Sequence, residues 1–126
     1  LNIVLSPESY IVDHCGFSGL SCYNRNNNRI YIHYKNWTNE DESFLKSVQQ
    51  DIDGYRTYLV NHEVGHSLGL DHLKRRDYIN KICPVMVQQT KGTEGTIANC
   101  WPTVADIRDT LRFIDGDFHL RNEWKN

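Results

Sequence analysis

The chain has 126 residues, of which 39% are hydrophobic and 24% charged, with a formal net charge of -2; these are the proportions of an ordinary globular domain, and we expect one monomeric domain over 1–126. So small a charge gives no basis for nucleic acid or an anionic membrane surface as partner, and no apolar run reaches the length of a membrane span. Leu1 to Leu5 carries neither an initiator methionine nor the charged-then-apolar layout of a signal peptide, so the chain reads as an excised or processed domain.

Leu1, Ile3 and Leu5 alternate with Asn2 and Val4, the period of a strand buried on one face. Ser6-Pro7-Glu8 then offers a cap, a proline for the first helical position and an early acid, which predicts a short helix to about Cys15. Residues 16–28, rich in Gly, Ser and Asn, read as a loop. From Arg29 to Lys35, Ile30, Ile32 and Tyr34 alternate with Tyr31, His33 and Lys35, giving a second strand. A lone histidine on a strand is more often a satisfied side chain than a metal ligand, so His33 is set aside, as are His14 and His119. Residues 36–50 are polar with Phe44, Leu45 and Val48 at helical spacing, a short helix or ordered loop. Asp53 can cap the next helix, expected over about 53–68, with Tyr55, Leu59, Val60 and Val64 as its apolar flank.

That helix runs into the most informative stretch of the chain, His62-Glu63-Val64-Gly65-His66-Ser67-Leu68-Gly69-Leu70-Asp71-His72, which reads H-E-x-x-H-x-x-G-x-x-H. Residues four apart lie on one helix face, so His62 and His66 can turn two imidazoles toward one ion, with Glu63 beside it. Six further residues of straight helix would carry His72 roughly 9 Å along the axis, out of reach. The helix must therefore stop and turn back, and Gly69 is where the left-handed conformation that ends helices costs least. Three nitrogen ligands leave one tetrahedral position open for water, the arrangement of catalytic zinc. Zinc brings the pKa of such a water to about 7, and Glu63 could take its proton as general base and return it to a leaving amine as general acid.

Four cysteines, Cys15, Cys22, Cys83 and Cys100, allow three pairings, and none has C-x-x-C spacing. We expect disulfides, with Cys15 joined to Cys22 and Cys83 to Cys100, hence an oxidising, extracytoplasmic setting; the rival is four reduced thiols in a cytosolic protein. Lys74, Arg75 and Arg76 suggest a solvated loop after His72. Residues 91–99, with Gly92 and Gly95, read as another loop. Trp101-Pro102-Thr103 then announces a last helix over about 103–115: Thr103 can cap it, Asp106 stands at its third position, and Val104, Ile107, Leu111 and Ile114 make a stripe expected to pack behind the histidine helix. Gly116 should end it, with a loosely held tail over 117–126.

The long histidine motif followed by Cys83-Pro84-Val85-Met86 resembles the metzincin clan of zinc peptidases, whose Met-turn sets a methionine as an apolar floor under the ligands. Met86 is the one methionine in the chain. The runs Tyr55 to Asn61 and Pro84 to Thr90, with Trp101-Pro102, are also similar to an actinobacterial family of little-characterised, secreted metzincin-like domains, over roughly residues 1–102. The resemblance implies an α+β catalytic domain with a small mixed sheet, an active-site helix, a Met-turn over about 83–88 and a C-terminal helix. It implies one Zn2+ and a secreted endopeptidase acting on peptide or protein. One departure stands out: where some metzincins have a tyrosine two residues after the methionine, this chain has Gln88. The rival functions are a catalytically silent zinc-containing binding module and a zinc amidase acting on peptidoglycan.

Overall fold

The computed structural model describes residues 1–110 and 124–125, and within them the chain is a mixed α+β structure built on two small sheets. Strand β1 (Asn2–Ser6) leads into helix α1 (Glu8–Cys15), followed by β2 (Cys22–Asn24) and β3 (Arg29–His33). Helices α2 (Tyr34–Trp37), α3 (Glu42–Ser47) and α4 (Ile52–Ser67) come next, and β4 (Ile82–Pro84), β5 (Ile97–Trp101), α5 (Val104–Thr110) and β6 (Trp124–Lys125) complete the described chain. The larger sheet has the order β1-β3-β2-β6, with β1 parallel to β3 and β2 antiparallel to both β3 and β6. The smaller joins β4 to β5 in parallel.

Strand periodicity divides the larger sheet between two cores, because successive side chains leave opposite faces. Tyr31 and Cys22 face Ile11 and Cys15 of α1, with Val4 and Phe17 packed at the edge. Tyr23, Ile30 and Ile32 face the other way, into a core shared with Tyr55, Tyr58 and Leu59 of α4 and with Val85, Met86 and Val87. The sheet is thus a layer between α1 and α4, and each apolar side chain fully buried there contributes about 1.5–3 kcal/mol. Because β3 is central, both of its faces are buried, Ile30, Tyr31, Ile32 and His33 alike.

Several sequence expectations need correction. Ser6 does not cap α1: its hydroxyl donates to the Val4 carbonyl, and it is the Pro7 carbonyl that accepts the first helical N–H bonds. Leu1, Ile3 and Leu5 are each about half exposed, because β1 lies at the sheet edge, where Ile3 and Leu5 line a groove with Ile32, Trp37 and Val60. The expected loop over 16–28 contains β2, too short to show a period, and the loop over 91–99 contains the start of β5. The second strand stops at His33, whose imidazole Nδ1 accepts the Asn36 N–H and so caps α2. Helix α4 is capped by Asp51, which accepts the Gly54 N–H at 2.8 Å, and not by Asp53. Val104 and Ile107 are exposed, at 76% and 56%, since α5 turns Asp106 inward instead. Leu111, Ile114, Gly116 and His119 lie outside the described residues, as does most of the expected tail, of which Trp124 and Lys125 pair with β2.

Disulfides join Cys15 to Cys22 and Cys83 to Cys100, the local pairing. None of the described helices is long and apolar enough to cross a membrane. Replacing Cys83 and Cys100 together by serine frees a bridge of sequence separation 17; we expect a loss of about 3 kcal/mol, read from denaturant unfolding of both proteins.

His33 is held on its other side by Glu8, whose second oxygen accepts the Gly19 N–H at 2.9 Å. Since Nδ1 of His33 accepts the hydrogen bond from the Asn36 N–H, Nε2 carries the ring proton and donates it in a hydrogen bond to Glu8. The bond from His33 holds the Glu8 carboxyl below its usual 4.5. A depressed carboxylate stabilises the fold above the unfolded value and stops doing so as pH falls through the folded one. Thermal melts of wild type and Glu8→Gln should therefore differ at pH 7 and converge as the pH drops below about 4.5.

Candidate metal centre

Helix α4 supplies two of the three histidines and ends in a manner that brings in the third. Its last residue is Ser67; Leu68 follows as cap, and Gly69 takes φ 94°, a left-handed conformation suited to glycine. The Gly69 N–H donates to the His66 carbonyl and the Leu70 N–H to the Gly65 carbonyl, both at 3.0 Å, the paired bonds of a Schellman ending. The chain then reverses, and His72 returns beside the helix. Nitrogens of His62, His66 and His72 all lie within 4.8 Å of one another. The Nε2 atoms of His66 and His72 are 3.2 Å apart, close to the roughly 3.3 Å edge of a tetrahedron with zinc–nitrogen bonds of 2.0–2.1 Å.

The hydrogen bonds behind the rings fix which nitrogen each presents. The Nδ1 of His62 lies 2.7 Å from the Val85 carbonyl and that of His66 lies 2.9 Å from the Leu70 carbonyl. A carbonyl only accepts, so both Nδ1 atoms carry the proton and both Nε2 lone pairs face the common centre. Tyr58, one helical turn before His62, is buried and supports the same choice. Its hydroxyl proton goes to the Val87 carbonyl at 2.9 Å and its oxygen accepts the Gln89 N–H at 2.7 Å, so it has no proton to give His62 Nδ1, 3.1 Å away. Burial pushes the Tyr58 hydroxyl well above its usual pKa, which keeps that donor in place.

The segment Pro84 to Gln89 passes beneath these rings as one stitched unit. Its Met86 carbonyl accepts the Leu73 N–H at 3.0 Å, and Leu73 bridges Val87, which fastens the chain just beyond His72 to the same turn that holds His62. Met86 is wholly buried, with its sulfur against Gly65 between the two helical histidines. Asp106, 2% exposed, grips the turn from α5: its carboxylate accepts the N–H groups of Val85 and Met86 at 3.2 and 2.8 Å, and from Thr103 both the N–H and the hydroxyl.

Glu63 is 1% exposed, and its Oε1 has no hydrogen-bond partner among the described residues. Burial pushes its carboxyl well above the usual range. A buried carboxyl without a partner is costly, and such a group in a native fold points to a ligand or water that completes it. Three imidazole nitrogens that converge are the donor set that a zinc ion with one exchangeable position requires, and the residue next to the first of them carries the buried, unpartnered carboxyl oxygen, so the residues fit that ion.

All the predicted ligands are brought together, with Glu63, Gly69 and Met86 in the same unit. The basic run Lys74 to Arg76 is exposed, with Arg75 held by Glu94. Gln89 is buried with its Nε2 donating to the Val48 carbonyl, while its Oε1 has no partner among the described residues. Sequence reasoning gave no role to Gly65, Tyr58 or Val85 and saw Asp106 only as a helix-start acid. A glycine in mid-helix and a tyrosine four residues before His62 were signals; Asp106 left none, since what it holds is main chain. A methyl at Gly65 would run into the Met86 sulfur. Gly65→Ala ordinarily stabilises a helix by about 1 kcal/mol. Here overpacking should dominate, with a net loss of about 1–3 kcal/mol in denaturant unfolding.

No curated protein and no solved structure matches this chain. A family model matches residues 1–113, and the chain belongs to that family, described as protein of unknown function (DUF3152).

Proposed function

We propose that the chain is a zinc-dependent endopeptidase of the metzincin type, acting outside the cytoplasm as a monomer. The observation that carries the reading is the convergence of His62, His66 and His72 nitrogens within 4.8 Å beside the buried Glu63. These three histidines would hold the metal, which when bound supplies Lewis acidity toward a carbonyl and lowers the pKa of water.

The protein's own part is proton transfer and orientation. Glu63 takes a proton from the attacking water as its oxygen bonds to the scissile carbonyl carbon, and gives that proton to the departing amine nitrogen as the C–N bond breaks. Burial raises the Glu63 carboxyl, the direction that helps it hold the proton between the two halves of that exchange. The Val85 and Leu70 carbonyls keep the His62 and His66 rings from swivelling. Met86 supports the metzincin comparison by its complete burial against Gly65. Two disulfides support an oxidising compartment. A silent binding module would have no use for Glu63, whose burial without a partner weakens the fold.

The test is hydrolysis of an unbiased peptide mixture, followed by mass spectrometry, for wild type, Glu63→Ala and chelator-treated protein. We expect cleavage by the wild type only. Glu63→Ala should retain about one zinc per chain and melt no lower than wild type, because it removes a buried unpartnered carboxyl. Turnover by the variant, or a zinc-loaded wild type that cuts no peptide, would overturn the assignment; cell-wall amides would then be the next substrates.

A further inference from the structure

The peptide unit between Val85 and Met86 is engaged at both ends. Its N–H, that of Met86, donates to Asp106 Oδ1 at 2.8 Å, and its C=O, that of Val85, accepts from His62 Nδ1 at 2.7 Å. Ligating histidines commonly give their second N–H to a carboxylate, which orients the ring and raises its donor strength. Here a carboxylate stands one peptide further back. An anion on the N–H side of an amide draws its dipole into line and makes its oxygen a stronger acceptor, and in a buried chain of hydrogen bonds each such link strengthens the next. Every member of this chain is buried: Asp106 and His62 are each 2% exposed, Val85 3% and Met86 0%.

We infer that Asp106 is a positioning residue for His62, acting through the Val85–Met86 peptide as a carboxylate–peptide–histidine relay toward the metal. Asp106 lies 44 positions after His62 and on a different helix. Its charge raises the donor strength of one ligand of the three; His66 leans on Leu70, a separate peptide, and serves as an internal reference. The same carboxylate also receives the Val85 N–H and two bonds from Thr103, so its charge is shared, and removing a competing donor should strengthen the relay. The inference rests on the zinc reading, but its main readout does not need hydrolysis.

The experiment follows the Nδ1–H resonances of His62 and His66 by nitrogen-15 NMR in zinc-loaded protein, with zinc affinity measured by chelator competition. Asp106→Asn replaces one acceptor oxygen by an NH2 facing main-chain donors. We expect the His62 resonance to move upfield, the His66 resonance to stay, and zinc to bind about ten- to hundredfold more weakly. Thr103→Val, a milder change that keeps the charge and removes one donor, should move the His62 resonance the opposite way, and it decides the matter alone if Asp106→Asn does not fold. His62 unmoved in the folded variants, or His66 moving equally, would overturn the relay while leaving the zinc reading intact. A wild type that takes up no zinc would overturn both.

Discussion

Three imidazoles can meet only if the helix that supplies two of them ends at once and sends the chain back. The Schellman ending at Leu68 to Leu70 is that constraint, and the rest of the arrangement follows from it. One reversed turn carries His72 toward the helix, gives His66 a carbonyl partner in Leu70, and directs the chain to meet the Met86 turn at Leu73. The bonds at Gly69 and Leu70 are ordinary, and their value lies in where they put the next three residues.

Around that turn the protein orients His62 and His66 through main chain. His62 and His66 are aimed by carbonyls, the turn below them is gripped through its N–H groups, and Tyr58 touches carbonyl and N–H alike. Main-chain partners cannot adopt other rotamers, so they hold a ring more stiffly than a long side chain would. The exception is Glu63, left buried with an oxygen unpartnered. A buried carboxyl oxygen without a partner is costly, and such a group is expected where local consistency has yielded to function.

Much of this was legible in the residues. The motif His62 to His72 and Gly69 could be read because helix geometry ties spacing to direction, and the cysteines because local pairs were the simplest closures. The short strands β2 and β5 were not, because three to five residues among Gly, Ser and Asn carry no period. The inward face of α5 was misread because Val104 and Ile107 look like a core stripe, whereas four hydrogen bonds to the Asp106 carboxylate decide which way the helix turns. Hydrophobic pattern predicts burial where apolar area dominates, and it fails where one buried charge collects several donors.

The Cys83–Cys100 bridge lies behind both partners of that contact. Met86 and Asp106 stand 20 positions apart along the chain, but only about half that distance by way of the disulfide. Halving a loop lowers its closure cost by about 0.6 kcal/mol, roughly a threefold rise in the effective concentration of the carboxylate at the turn. So small a factor means that the covalent link does little to create the contact. Its larger effect is on register: with β4 and β5 bonded side by side, the segments leaving them can slide past one another very little, and the carboxylate stays opposite the peptide it grips.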